Sequence, residues 1–144
     1  MYGCEITAPP EWTARIGQGQ FRLQVTMYEP GGDSSLSLGM IQLPREDITA
    51  EMAVKGDDNV TSQAFEGYKL VSTGETKIGD LPAYESVTTF DFGGQKRQRR
   101  RVYLVDNDRL FFMFANAAPA DKWNRLAPLF DEAFKSFKLT EAKP

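Results

Sequence analysis

At 144 residues, with 41% hydrophobic and 26% charged side chains, the chain has the size and make-up of one folded domain with a full core. A net charge of −3 argues against nucleic-acid binding, which relies on neutralising many phosphates. The absence of histidine removes Ser-His-Asp sites, Cys-His sites and zinc held by His and Cys, and a single cysteine, Cys4, allows no internal disulfide.

From the N-terminus, Cys4 to Ala8 reads as a short strand ended by Pro9-Pro10, since proline donates no backbone hydrogen bond. Cys4 is expected as a buried thiol there. A lipidated cysteine after signal cleavage is the alternative. Next, "QFRLQVTMYE" alternates, with Phe21, Leu23, Val25 and Met27 on one face. Pro30 to Asp33 forms a turn, and "SSLSLGMIQLP" returns as the second strand of a hairpin. "GQG" at Gly17 to Gly19 is read as a turn.

After Pro44, Glu46 and Asp47 suit the positive end of a helix dipole. Ile48, Met52, Val60 and Phe65 are placed on one side of this helical region. "KGDDN" predicts a break near Gly56 or two short helices, with Asp57 and Asp58 as turn residues. The glycosylation-like triplet Asn59 to Thr61 is read as a helix cap. Two strands follow around Gly79-Asp80-Leu81-Pro82. Gly93-Gly94 and Asn107-Asp108 are two-residue turns needing positive φ, so Ala83–Phe92, Gln95–Asp106 and Arg109–Ala117 form a meander. Trp123, Leu126, Phe130, Phe134 and Phe137 recur at helical spacing, with Pro128 expected to kink or split the last helix and the tail frayed after about residue 139.

The third meander strand is apolar on both faces, with Leu110, Phe112 and Phe114 on one and Phe111 and Met113 on the other. A sheet of this kind needs cover on both sides. The expectation is therefore a single α+β domain over 1–144. It is an α/β/α sandwich around a largely antiparallel sheet of about six or seven strands.

The opening "EITAPPEW", the segment "GYKLVSTGETKIGDLPAYE", a basic strand leading into "YLVDNDRLFFMFANA" and a last helix ending "FDEAFKSFKL" together resemble the PsbP-like superfamily. That superfamily includes bacterial DcrB-like proteins, photosystem PsbP proteins and a nuclear-import factor that binds the GTPase Ran. The resemblance covers nearly the whole chain and implies a fold that hosts unrelated, mostly non-catalytic roles. It also brings in a branch of cytosolic, dimeric DcrB-like adaptors that shield transmembrane segments of type VI secretion effectors.

No phosphate-binding glycine loop precedes a helix, and "GDDN" lacks the alternating ligand spacing of a calcium loop. No catalytic carboxylate pair stands out. No enzyme activity, cofactor or metal is expected. No apolar run approaches the roughly 20 residues of a membrane span.

Five of the six residues Lys96 to Arg101 are cationic. If both turns hold, Phe90 faces Arg97, Thr88 faces Arg99, Ser86 faces Arg101 and Tyr84 faces Tyr103. On the other side, Tyr103 faces Phe112, Arg101 faces Phe114 and Arg99 faces Asn116. Arg97, Arg99 and Arg101 then share a face with Tyr84, Tyr103 and the aromatic rings, while Lys96 and Arg100 point the other way. One reading lays the guanidiniums along the rings with their heads in water, paired with Asp91, Asp131 or Glu132 and guarding the strand against aggregation. The other makes Arg97, Arg99, Arg101, Tyr84 and Tyr103 a binding site for an acidic protein partner or a small anionic ligand. The functional expectation is a non-catalytic interaction module of the bacterial cell envelope, exported by a signal no longer present. The alternative is a cytosolic adaptor for a type VI effector, with a homodimer left open.

Overall fold

The computed structural model describes residues 3–19 and 22–140. The alternating segments become strands β1 (Gly3–Glu5), β2 (Thr13–Gly19), β3 (Arg22–Tyr28), β4 (Ser35–Gln42), β5 (Glu66–Ile78), β6 (Leu81–Phe92), β7 (Gln95–Asp106), β8 (Arg109–Ala117) and β9 (Lys138–Thr140). Helix α1 spans Ala50–Ala64 and α2 spans Trp123–Lys135. Seven strands form one antiparallel sheet in the order β2-β3-β4-β8-β7-β6-β5, and β1 pairs with β9 apart from it.

The helices cover opposite faces. On one, Leu126, Phe130, Ala133 and Phe134 of α2 pack on Val102, Leu104, Phe111, Met113 and Ala115. On the other, Val54 of α1 packs with Tyr103, Leu110 and Phe112. This is the expected α/β/α sandwich, and the two faces of β8 separate as its alternation requires.

Several local expectations are corrected. Gly17 to Gly19 are not a turn: they lie in β2, paired with Gln24, Leu23 and Arg22 of β3. The segment has little apolar alternation because it is an edge strand held by backbone hydrogen bonds. Leu81 and Pro82 already belong to β6, opposite Ile78 and Lys77, so the turn is Gly79-Asp80 alone. At the C-terminal end Lys138 to Thr140 pair with Glu5 to Gly3. The tail beyond them, and Phe21, lie outside the described residues. Helix α2 is not split by Pro128.

Helix α1 corrects the reading most. It is one continuous helix, capped by the Thr49 side chain, which accepts from the Met52 N–H, and it runs through Gly56. Glu46 and Asp47 precede it. Met52 and Val60 are 47% and 65% exposed, and the buried residues are Val54 and Thr61. Thr61 is no cap: it sits in the last turn and donates to the Asp57 carbonyl. Asp57 and Asp58, expected in a turn, lie in the helix.

Cys4 is partly buried against the α2-side core, and burial pushes its thiol up to about 11.

Candidate functional site

Strand β7 sits between β6 and β8, and its register is set by two turns. Gly93 and Gly94 adopt φ of 63° and 74°, a pair of left-handed residues that suits a two-residue hairpin, and Asn107 has φ 57° at the next turn. The pairs follow as the turns dictate: Phe90 with Arg97, Thr88 with Arg99, Ser86 with Arg101 and Tyr84 with Tyr103. Across β8, Arg99 meets Asn116, Arg101 meets Phe114 and Tyr103 meets Phe112. Arg97, Arg99 and Arg101 thus share the α1 face. Arg100 takes the α2 face, bonded to Glu85 and Asp131 and lying 5.0 Å from the Phe134 ring centre.

The three arginines of the α1 face meet different surroundings. Arg101 is fully buried. Its guanidinium bonds Asp57 and Asp58, which α1 presents one after the other, and Asp58 also accepts from the Ser86 hydroxyl. The Tyr103 hydroxyl donates to the same Asp57 oxygen that Arg101 uses. Burial, then the nearby Asp57, raises the Tyr103 hydroxyl well above the usual phenol range. This network locks α1 to the sheet, since charges taken out of water are tolerable only when paired and hydrogen-bonded. The expectation that these arginines keep their heads in water fails at Arg101. The expected partner Asp131 serves Arg100 instead. The aggregation-guard role fails too, because β7 is a central strand with no free edge.

Arg99 and Arg97 differ. Arg99 lies over the Phe90 and Phe114 rings, at 5.2 and 5.8 Å, and Arg97 lies over Phe92 at 5.1 Å. Among the described residues no carboxylate forms an ion pair with either. Arg99 makes a long polar contact, 3.5 Å to the Thr61 hydroxyl, whose proton is committed to the Asp57 carbonyl. The Nε atoms of both arginines, like that of Arg101, and the hydroxyl of Thr88, register partner of Arg99, are buried with no hydrogen-bond partner in the protein. Burial pulls the Arg99 guanidinium below its usual pKa, against the attraction of Asp57, Tyr103 and Tyr68. Buried polar groups in folded proteins are nearly always satisfied, so this concentration on one face marks it out.

The sequence-predicted site therefore divides. Arg101 and Tyr103 belong to the structural network. Tyr84 lines a separate cleft of about 810 Å³ at the opposite end of β7, with Ile48, Ala83 and Val105 at its apolar side and Glu46, Glu51 and Glu75 among its charges. Tyr84 pairs with Tyr103, six residues along β7 from Arg97, a span of about 20 Å. Arg97 and Arg99 stay together. Two contributors escaped the sequence reading: Thr61 and Tyr68, the latter close enough to act electrostatically on Arg99. Thr88 was legible as the partner of Arg99 in the register. Thr61 and Tyr68 were not, because they arrive from α1 and β5 through tertiary packing. Among the described residues no cluster of His, Cys, Asp and Glu is placed to hold a metal ion, and no helix is long and apolar enough to cross a membrane.

No protein-family model and no curated protein matches the sequence. Solved structures do. The cyanobacterial PsbP protein CyanoP from Synechocystis sp. PCC 6803 superposes with a TM-score of 0.71 at 18% identity, over 96% of this chain and 87% of that one. LpqN of Mycobacterium tuberculosis, involved in cell envelope biogenesis, gives 0.59 at 11% identity, over 98% and 85%. TplEi, an immunity protein of the type VI secretion system of Pseudomonas aeruginosa, gives 0.59 at 16%, over 81% of this chain and 43% of that longer one. At such identities the likeness shows architecture, and the architecture of this chain is the PsbP-like fold.

Proposed function

We propose that the protein is a non-catalytic binding module of the bacterial cell envelope and that the α1 side of its sheet, at Arg97 and Arg99, is the contact surface. One observation carries this reading: two partly buried guanidiniums on that face have no carboxylate of their own, while their neighbour Arg101 has two. Arginine forks beside aromatic rings suit an acidic partner surface or a small anion. The envelope setting is supported by LpqN among the structures of the same fold.

A second reading, a DcrB-like adaptor or chaperone for a type VI effector, is favoured by a different observation. Leu70 and Val71 on edge strand β5 are 49% and 57% exposed, and α1 exposes Val60. Exposed apolar side chains beside an open edge offer a seat for an apolar partner segment. The likeness in fold to TplEi, an immunity protein of type VI secretion, supports this reading.

The test is capture of partners from soluble and detergent-solubilised extracts, using the native domain, Arg97→Glu/Arg99→Glu and Leu70→Lys/Val71→Lys. Loss of a partner by the first variant alone supports the module reading. Loss by the second alone supports the adaptor and removes Arg97 and Arg99 from the contact surface.

A further inference from the structure

The layer between α1 and the sheet holds three guanidiniums, Arg97, Arg99 and Arg101, and two carboxylates, Asp57 and Asp58. Both carboxylates are engaged by Arg101. Beside this ion-paired network lie two guanidiniums without a carboxylate. The Nε atoms of Arg97, Arg99 and Arg101 and the Thr88 hydroxyl are shut from solvent with no acceptor in the protein, and of the three guanidiniums Arg101 alone has carboxylates on its other nitrogens among the described residues. Thr88 is fully buried. A buried donor without an acceptor bears the full cost of its lost hydration, and at Arg97 and Arg99, where no carboxylate offsets it, this amounts to an unmet demand for a negatively charged acceptor.

We propose that Arg99, flanked by Arg97 and Thr88, is a subsite for a single carboxylate group carried on an apolar or aromatic body. This rests on the module reading and specifies its ligand chemistry. Three features select a carboxylate. The guanidinium fork is planar and matches two oxygens in one plane, giving paired hydrogen bonds. The layer lacks one negative charge, which a carboxylate supplies and a phosphate dianion exceeds. Arg99 lies against Phe90 and Phe114, and Phe65 packs tilted on Phe90 and edge-on to Phe92 with ring centres 4.7 and 5.8 Å apart, so the surroundings beyond the fork are apolar. Arg101, fixed by Asp57 and Asp58, takes no ligand; it keeps both aspartates from closing on Arg99.

The experiment follows the side-chain Nε–H resonance of Arg99 in the ¹⁵N-labelled protein during titration. The probes are phenylacetate, the neutral isostere 2-phenylethanol, inorganic phosphate, and a Phe-terminated tripeptide with a free or an amidated C-terminus. Phenylacetate is expected to shift the resonance saturably and 2-phenylethanol to leave it in place. Arg99→Gln should weaken phenylacetate binding at least tenfold by calorimetry. A preference for the free-acid tripeptide over phenylacetate identifies a chain terminus as the source of the carboxylate, and the reverse identifies a small acid. No saturable shift with any carboxylate overturns the proposal, as does phosphate binding more tightly than phenylacetate, or binding unchanged in Arg99→Gln. The two readings fail separately. Without phenylacetate binding but with a partner lost in Arg97→Glu/Arg99→Glu, the contact surface stands and the carboxylate falls. With phenylacetate binding and every partner retained, the subsite stands and the protein-contact role of the surface falls.

Discussion

The two faces of the sheet carry helices of similar length, 15 residues in α1 and 13 in α2, held by different forces. Under α2 the contact is mainly apolar, with four buried helix residues set among Phe111, Met113 and Phe137 and an ion pair from Arg100 to the exposed Asp131 at its rim. Under α1 two residues, Val54 and Thr61, are buried, and the attachment is made by Asp57 and Asp58 reaching Arg101 and Tyr103. Apolar burial is proportional to area and indifferent to direction, so the α2 face holds without recognising anything. A charged layer has geometry and stoichiometry, and any group left over in it remains available. The α1 face is therefore where binding is expected, and the α2 face is where stability is concentrated.

The largest expected effect separates the faces directly. Phe130→Ala removes a fully buried ring that packs edge-on to Trp12 and tilted to Trp123, and should cost about 3–5 kcal/mol in denaturant unfolding. A loss as small as that of an exposed substitution would place the weight of the core elsewhere. Asp58→Asn comes next. It weakens a charge-assisted bond to a buried arginine and should cost about 2 kcal/mol, with α1 amides exchanging faster than α2 amides. Equal exchange in both helices would show that the charged layer is not what fastens α1.

The smallest effect is a pH dependence. The Tyr103 hydroxyl titrates higher in the folded state than in the unfolded chain, because burial and Asp57 oppose the phenolate. The folded state thus holds its proton longer, and the associated stability is intact below a pH of about 10 and lost above it. Cys4 acts in the same direction from about pH 9 upward, since its thiol is also raised. Melting temperature should fall as pH rises through this range, less steeply in Tyr103→Phe. An unchanged slope in that variant would assign the alkaline loss to other groups.

The comparison also explains what could be read in advance. The register of β6, β7 and β8 was legible residue by residue, because two glycines and one Asn-Asp pair fix tight turns and a strand has a period of two. The α2 stripe was legible because its inward residues are apolar. The inner side of α1 was not. Its contact runs through Asp57 and Asp58, which look like solvent-facing turn residues until Arg101 is placed opposite them. The same blindness led to Met52 and Val60 being assigned inward. Strand β2 has few apolar residues to alternate, and the β1–β9 pairing joins the two ends of the chain, where local periodicity carries no information. Arg97, Arg99 and Arg101 were correctly placed on one face, but their division into one ion-paired guanidinium and two without a carboxylate depends on which carboxylates α1 brings down.

That division is most directly tested by thermal unfolding of Arg101→Met beside Arg99→Met. Removing Arg101 strands two aspartates in the layer and should cost about 3 kcal/mol. Removing Arg99 relieves a desolvated charge with no carboxylate of its own and keeps an apolar side chain against Phe90 and Phe114, so the melting temperature should hold or rise. Comparable losses in the two variants would mean that Arg99 is a structural arginine like its neighbour, and the account of the α1 face as a binding surface would be wrong.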